Sequence, residues 1–369
     1  MRRVVLKYAA TLLSRQPLRP TGLTPWVRQS VAAAHWIKDN GLGLVSSTGM
    51  QTWELITALA SDLKIPLRLV VPAISEEEFL RECDQATAEF NLDPMRTEFV
   101  PCLAADSHAD STLASRDNLV VKMADLLVPV SCRPSGSMAT KLAEAAQSGR
   151  DIQCGFTVDY SNQSAALKYD LRDRSLNPDL DSLNGKYLIH WTRGTSSPWP
   201  KERCISFYRD IMQSDRWPRA ALDTLARILR KGTILSSTRH MPGGIPTVSF
   251  SALTPKEVVP LMSWRARYGE MSFEPYGIGI DRRVGREIGI REVFYYDAGK
   301  RVTVPADELW HSQSIGKITD WTAEREYRCL GDLSLSKVPP ESLALFCMTT
   351  LEAKSLREEF GCPVWSFLA

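Results

Sequence analysis

The sequence predicts an α/β chain. Its first half reads as a parallel sheet covered by helices, and its second half as an α+β domain with a mixed or antiparallel sheet. Three observations predict this. Up to residue 158, short apolar runs alternate with amphipathic stretches of helical length. Beyond residue 187, short strand-like runs crowd together with few helices. Between them, 161–186 is rich in Asn, Asp, Ser and Leu, lacks a sustained period, and carries the turn signals Asn177-Pro178-Asp179 and Leu183-Asn184-Gly185. The reading is therefore a domain at 1–165, a linker at 166–186 and a domain at 187–369.

Taken in order, 3–8 reads as the first strand. A helix follows at 25–40, with Thr24 placed to cap it and Pro25 at its first position. Strands at 41–46, 67–72, 97–101, 125–130 and 152–158 alternate with helices at 52–63, 76–90, 112–123 and 138–147. Strand–helix alternation of this length builds a parallel sheet with both faces covered. Ligands of such sheets bind at the carboxyl ends of the strands.

Composition narrows the functional classes. A length of 369 residues suits two domains. A net charge of +2 gives no bulk electrostatic reason to bind nucleic acid. No apolar run approaches the ~20 residues of a membrane helix, and Lys7 interrupts the apolar stretch after Arg2 and Arg3, so no signal-peptide core forms. A cytoplasmic protein without a membrane partner is expected. The eight cysteines form no C-x-x-C pair and none stands at metal-ligand spacing from a histidine, so reduced thiols and no metal are expected. Most of the ten tryptophans fall in the second half, a further reason to divide the chain there.

Two loops sit at the expected ligand edge of the first domain. One holds Ser47, Thr48 and Gly49. The other, 131–137, holds Arg133, Ser135, Gly136 and Ser137 and opens a helix. Unpaired N–H groups and the helix dipole favour an anion there. Arg133 directly follows a strand, and its guanidinium fork suits a phosphate. Arg116 is read either as a second anion contact or as a solvated helix-end charge.

These residues also carry a resemblance. Arg116-Asp117-Asn118, Ala124-Asp125, Ser135-Gly136-Ser137 with Thr140, and Gly149-Arg150-Asp151-Ile152 resemble the Smf/DprA DNA-processing family. The resemblance spans roughly 1–165. It implies a Rossmann-like domain of the superfamily that also contains the lonely-guy phosphoribohydrolases, with a nucleotide-derived ligand or single-stranded DNA as partner. The Gly-x-x-x-Gly-Ile-Asp segment of DprA is absent. So is the Pro-Gly-Gly-x-Gly-Thr-x-x-Glu of the hydrolases, where Thr140 replaces the catalytic Glu. A binding domain without hydrolysis chemistry is implied.

In the second half, strands are expected at 187–192, 234–238, 247–251, 277–281, 293–296 and 321–329, with helices at 220–230 and 254–261. His190 is read as a core histidine or a ligand contact. Ser249 and Ser251 alternate with Phe250 and so share a face. Glu324 and Glu326 are also two apart, which on a strand places two mutually repelling carboxylates on one face. A solvated strand with alternating Glu and Arg is the plainer reading. The order His, Ser-Phe-Ser, Glu-x-Glu resembles the ADP-ribosyltransferase pattern. The run from Trp321 through Glu324-Arg325-Glu326-Tyr327-Arg328 resembles an uncharacterised bacterial family found near phage-defence genes.

The transferase resemblance implies NAD as substrate. His190 would contact its ribose, Ser249 and Ser251 its pocket, and Arg193 or Arg239 its pyrophosphate. Glu326 would stabilise oxocarbenium charge, and Glu324 would orient the acceptor. The function expected is an antiviral-defence protein that couples a nucleotide- or DNA-binding sensor to an NAD-using effector, with a homo-oligomer or a defence-operon partner. Two alternatives stay open. One is a non-enzymatic binding protein that stacks bases on Trp191, Trp199 and Trp264. The other is an NAD glycohydrolase using water as acceptor.

Overall fold

The computed structural model describes the chain except 1–5, 104–108, 162–166, 172, 173, 175, 240, 267, 268, 298, 300–303 and 316–321, and describes 109–114 and 242 by backbone alone. It divides into two compact units, Met1–Ser164 with Ser197–Pro218, and Ala165–Ser196 with Arg219–Ala369.

The first unit is a six-stranded parallel sheet. Its elements are β1 (Tyr8–Leu13), α1 (Pro25–Asp39), β2 (Gly43–Ser47), α2 (Gln51–Leu63), β3 (Leu67–Ala73), α3 (Glu76–Phe90), β4 (Thr97–Leu103), α4 (Ala109–Met123), β5 (Leu126–Ser131), α5 (Ser137–Gln147) and β6 (Asp151–Ile152). The spatial order is β4-β3-β2-β1-β5-β6. Helices α1 to α3 bury Val27, Ala33, Ile37, Leu55, Leu59 and Phe90 against one face. Helices α4 and α5 bury Val120, Ala124, Met138 and Ala145 against the other. The chain steps outward from β1 to β4, then returns to place β5 beside β1. The topological switch point therefore lies at the carboxyl ends of β1 and β5.

The first strand differs from expectation. It runs over Tyr8–Leu13, every residue buried, because a central strand needs apolar side chains on both faces. Residues 3–5 of the expected 3–8 lie outside the described residues, and Leu6 and Lys7 are not in the strand. Thr24 occupies the N-cap position of α1 without capping it; its hydroxyl instead accepts from the Thr21 N–H at 2.9 Å.

A helix absent from the sequence reading, α6 (Cys204–Gln213), joins this unit and buries Ile205, Phe207, Tyr208 and Ile211 on the face of α1 to α3. Residues 197–218, expected with the second domain, thus belong to the first.

The second unit centres on a seven-stranded mixed sheet, β13-β16-β9-β7-β12-β18-β19. These strands are β7 (Tyr187–Trp191), β9 (Thr247–Ser251), β12 (Gly277–Asp281), β13 (Arg291–Glu292), β16 (Glu326–Leu330), β18 (Leu343–Cys347) and β19 (Val364–Ser366). Their pairings are antiparallel except β18 with β19, which docks the chain end beside β18. Short pairs surround the sheet: β8 (Thr233–Ile234) with β17 (Leu333–Ser334), β10 (Trp264–Arg265) with β11 (Glu270–Met271), and β14 (Phe294–Asp297) with β15 (Ser312–Ile315). The helices are α7 (Ala221–Lys231), α8 (Pro255–Val258), α9 (Arg282–Glu287) and α10 (Thr350–Phe360).

The expected linker is packed: Leu171, Leu180 and Leu183 join the core beneath Tyr187, Ile189 and Phe346. The strand expected at 321–329 begins only at Glu326, and Trp321 lies outside the described residues. Among the described residues, no helix is long and apolar enough to cross a membrane.

Candidate functional site

At the switch point of the first unit, the ends of β1 and β5 are laced together. The Ser14 N–H donates to the Ser131 carbonyl at 2.9 Å, and the Arg133 N–H donates to Ser14 Oγ at 2.8 Å. Gln16 Nε2 donates to the same Ser131 carbonyl at 3.1 Å. This lacing ties the start of the 131–137 loop to the end of β1. Gly136 is the N-cap of α5, and no side chain caps that helix start. The first N–H groups of the helix, which have no intrahelical partner, therefore face the loop. A Cβ on Gly136 would lie 3.2 Å from the Arg133 carbonyl oxygen and 3.5 Å from Arg133 Nε, so the arginine stem is folded beside the helix start. Arg133, Ser135 and Ser137 are exposed.

Arg15, just past β1 and also exposed, was missed from sequence. With the first strand read at 3–8, it had no place at a strand end. The strand at Tyr8–Leu13 puts it at the carboxyl edge, where the Tyr160 hydroxyl donates to its carbonyl at 3.1 Å.

The other sequence candidates of this unit line the β2–α2 loop. Gly49 adopts φ +79°, a left-handed turn that favours glycine. Ser47 is buried and its Oγ donates to the Val70 carbonyl at 2.6 Å, so it shapes the loop from beneath. Arg116 is buried too. Its Nε and one terminal nitrogen donate to Asp117 Oδ1 at 2.9 and 2.8 Å, and the other donates to the Thr48 carbonyl at 3.0 Å. Arg116 is not a solvated helix-end charge; it pins the loop from within. Thr48 and Gly49 remain accessible.

In the second unit, strand register decides which candidates meet. Glu326 pairs with Ser251 and Arg328 with Ser249. Ser249 Oγ donates to Glu326 Oε1 at 2.7 Å. Arg328 grips the same carboxylate with Nε at 2.8 Å and a terminal nitrogen at 2.8 Å. Its remaining donors go to the carbonyls of Trp310 (3.3 Å) and Ser312 (2.9 Å) and to Gln313 Oε1 (2.8 Å). All five N–H groups of this buried arginine thus have acceptors.

The other candidates do not converge as expected. Glu324 is not on a strand; it ends a 3-10 turn (Thr322–Glu324), and Arg325 at φ +44° breaks the alternation before Glu326. Ser251 Oγ donates to the Glu324 carbonyl at 2.6 Å and accepts from the Leu253 N–H at 3.1 Å, an internal brace. His190 pairs with Ile278, whereas its neighbour Ile189 pairs with Ser251. His190 therefore lies on the sheet face opposite Ser249, Ser251 and Glu326. There its ring meets Phe250 edge-on at 5.8 Å, and its Nδ1 donates to the Ser249 carbonyl at 2.9 Å. Burial lowers its pKa, which favours the neutral ring.

Arg193 and Arg239 share one carboxylate, Glu270, at 3.5 and 3.2 Å. Arg265 pairs with Glu324 at 3.4 Å. Burial raises the Glu324 pKa, a shift that Arg265 opposes and the Glu326 charge reinforces. Tyr295 is pushed up to about 12, by burial first and by the Glu326 charge second. Among the described residues no group of His, Cys, Asp and Glu could hold a metal ion.

No family model and no curated protein matches this chain. Among solved structures, DNA processing protein A from Helicobacter pylori matches at 11% identity over 40% of this chain and 63% of that chain, with a TM-score of 0.29. That protein is described as having a unique single-stranded DNA binding mode. The chain spans less than two thirds of its length, and a likeness this low carries no argument about either fold or function.

Proposed function

We propose that the first unit binds a phosphate-bearing ligand, a nucleotide or single-stranded DNA, at the carboxyl edge of β1 and β5. The observation that carries this reading is the exposed Arg133 folded beside the uncapped start of α5. Helix N–H donors and a guanidinium fork side by side suit a phosphate. Arg15, just past the neighbouring β1, supplies a second exposed cation, and the accessible Thr48 and Gly49, past β2 on the far side of β1, form the wall of the site.

The test is a fluorescence-anisotropy titration with labelled oligothymidine and with labelled nucleotides, at two salt concentrations. Arg133→Ala should weaken binding at least about tenfold, the scale of one lost charge-assisted contact. Unchanged affinity, or no binding by the native chain to any probe, overturns the reading.

A second reading is favoured by one contact, the 2.7 Å hydrogen bond from Ser249 to Glu326. A carboxylate held this way could stabilise positive charge as nicotinamide leaves NAD. The second unit would then be the effector and the first its sensor, as a defence protein requires. Isotopically labelled NAD distinguishes the outcomes. Label on a macromolecule means transfer, and free nicotinamide alone means hydrolysis. No turnover leaves binding by the first unit as the function, and turnover that survives Glu326→Gln removes Glu326 from the chemistry.

A further inference from the structure

Helix α6 reaches the first unit out of chain order. The chain leaves the second unit at Ser196, forms α6, and returns at Arg219. Apolar packing would suffice to dock it, yet α6 carries three polar ties as well. Arg209 grips Asp62 near the end of α2, with Nε at 2.9 Å. The Cys204 N–H donates to Glu89 on α3 at 2.8 Å. The Tyr208 hydroxyl donates to Glu54 Oε2 at 2.7 Å.

The third tie differs from the other two. Glu54 lies in the first turn of α2, and its other oxygen accepts from the Gly49 N–H at 3.1 Å. One carboxylate therefore joins the α6 tyrosine to the left-handed glycine of the β2–α2 loop. On the loop's other side, Arg116 holds the Thr48 carbonyl. The loop thus has two clamps, one from α4 and one from α6. The Tyr208 ring is fixed in turn: it is buried and stacks on Phe90 at 6.3 Å.

We propose that Tyr208 is a positioning residue for the Thr48–Gly49 wall of the ligand site, acting through Glu54. The ligand reading of that wall is the one given above, so the test separates the two. Hydrogen exchange of the full chain without ligand tests the clamp alone. In Tyr208→Phe, amides 47–54 should exchange about threefold to tenfold faster, the scale of one net hydrogen bond. Amides of β3 and α1 should not change. Asp62→Asn loosens α6 at a different tie, the one to Arg209, and should leave 47–54 as in the native chain.

Because Tyr208 acts through Glu54, Tyr208→Phe combined with Glu54→Ala should exchange no faster than Glu54→Ala alone. A helix that only fills the apolar face would give additive effects, or equal effects from Asp62→Asn and Tyr208→Phe. Either result, or unchanged exchange at 47–54 in Tyr208→Phe, overturns the proposal. In the oligothymidine titration, Tyr208→Phe should lose about threefold to tenfold in affinity. Native chain that binds no probe defeats the ligand reading while the exchange cycle still decides the clamp.

Discussion

Two arginine-rich regions of this molecule use the same residue types to opposite ends. On the second unit's sheet, Arg328 and Glu326 complete one another, Ser249 donates to the same carboxylate, and Gln313 and two carbonyls accept from every remaining Arg328 donor. At the switch point of the first unit, Arg116 is occupied by its own fold, yet Arg133, beside the uncapped start of α5, and Arg15, past the end of β1, are exposed. A charged side chain acts on a ligand only with donors or charge that its own fold does not already occupy. By that measure the first unit offers a ligand the more accessible charge, whereas the Glu326 carboxylate is already neutralised by Arg328.

The comparison breaks most readily at Arg328. Arg328→Met should destabilise the second unit by about 3–5 kcal/mol, because it leaves Glu326, only 12% exposed, without its counter-charge. Arg328→Lys should recover little, since an ammonium cannot satisfy a bidentate carboxylate and three further acceptors. Chemical denaturation followed by tryptophan fluorescence measures both. A loss under about 1 kcal/mol would mean that solvent already reaches Glu326, and the contrast between the units would fall.

Arg116→Ala comes next. It removes a buried guanidinium that joins Asp117 to the Thr48 carbonyl, and should cost about 2–3 kcal/mol, the scale of hydrogen bonds to charged groups. Ligand affinity should fall with it, because the loop loses a clamp. Arg133→Ala should separate these effects. Stability should stay within about 0.5 kcal/mol, as for an exposed substitution. The slope of log affinity for oligothymidine against log salt should shrink by about one phosphate contact. An Arg133→Ala variant that unfolds as readily as Arg116→Ala would show that Arg133 is structural as well.

The parallel sheet was more legible than the site it carries. Helix α3 matches its expected bounds, 76–90, because local chemistry fixes it: Ser75 caps the Glu78 N–H, and Glu78 reaches back to the Ile74 N–H. The first strand was misplaced because two apolar runs adjoin, and only burial on both faces selects Tyr8–Leu13. Helix α6 shows an amphipathic spacing, Ile205, Tyr208 and Ile211, between two Trp-Pro pairs, but nothing local says which unit it joins.

In the second unit, only the resemblance to the transferase pattern puts His190 and Ser249 in one site. Whether they share a face depends on the pairings of Ile278 with His190 and of Ile189 with Ser251, which are non-local. The Glu-x-Glu alternation assumed a strand that the left-handed Arg325 interrupts.

The smallest expected effect concerns Glu324, the second unit's contrast to the fully matched Glu326. Burial raises its carboxyl pKa above the ordinary value of 4.5. Arg265 only partly offsets this, across a 3.4 Å pair whose side chains keep 28% and 27% exposure. The folded chain therefore holds this proton to higher pH than the unfolded chain does. Between the ordinary and the raised pKa the native state binds more protons, so this group's contribution to stability falls as pH rises through that window. Glu324→Gln has no such titration. Denaturation midpoints measured across the acid range should show native and variant chains closest at the acid end. They should separate toward neutrality, with the variant gaining relative to the native chain, apart from a constant offset of about 0–1 kcal/mol for the lost pair. Parallel curves would mean that Arg265 matches Glu324 as fully as Arg328 matches Glu326, and the second unit would then hold no under-compensated carboxylate at this edge.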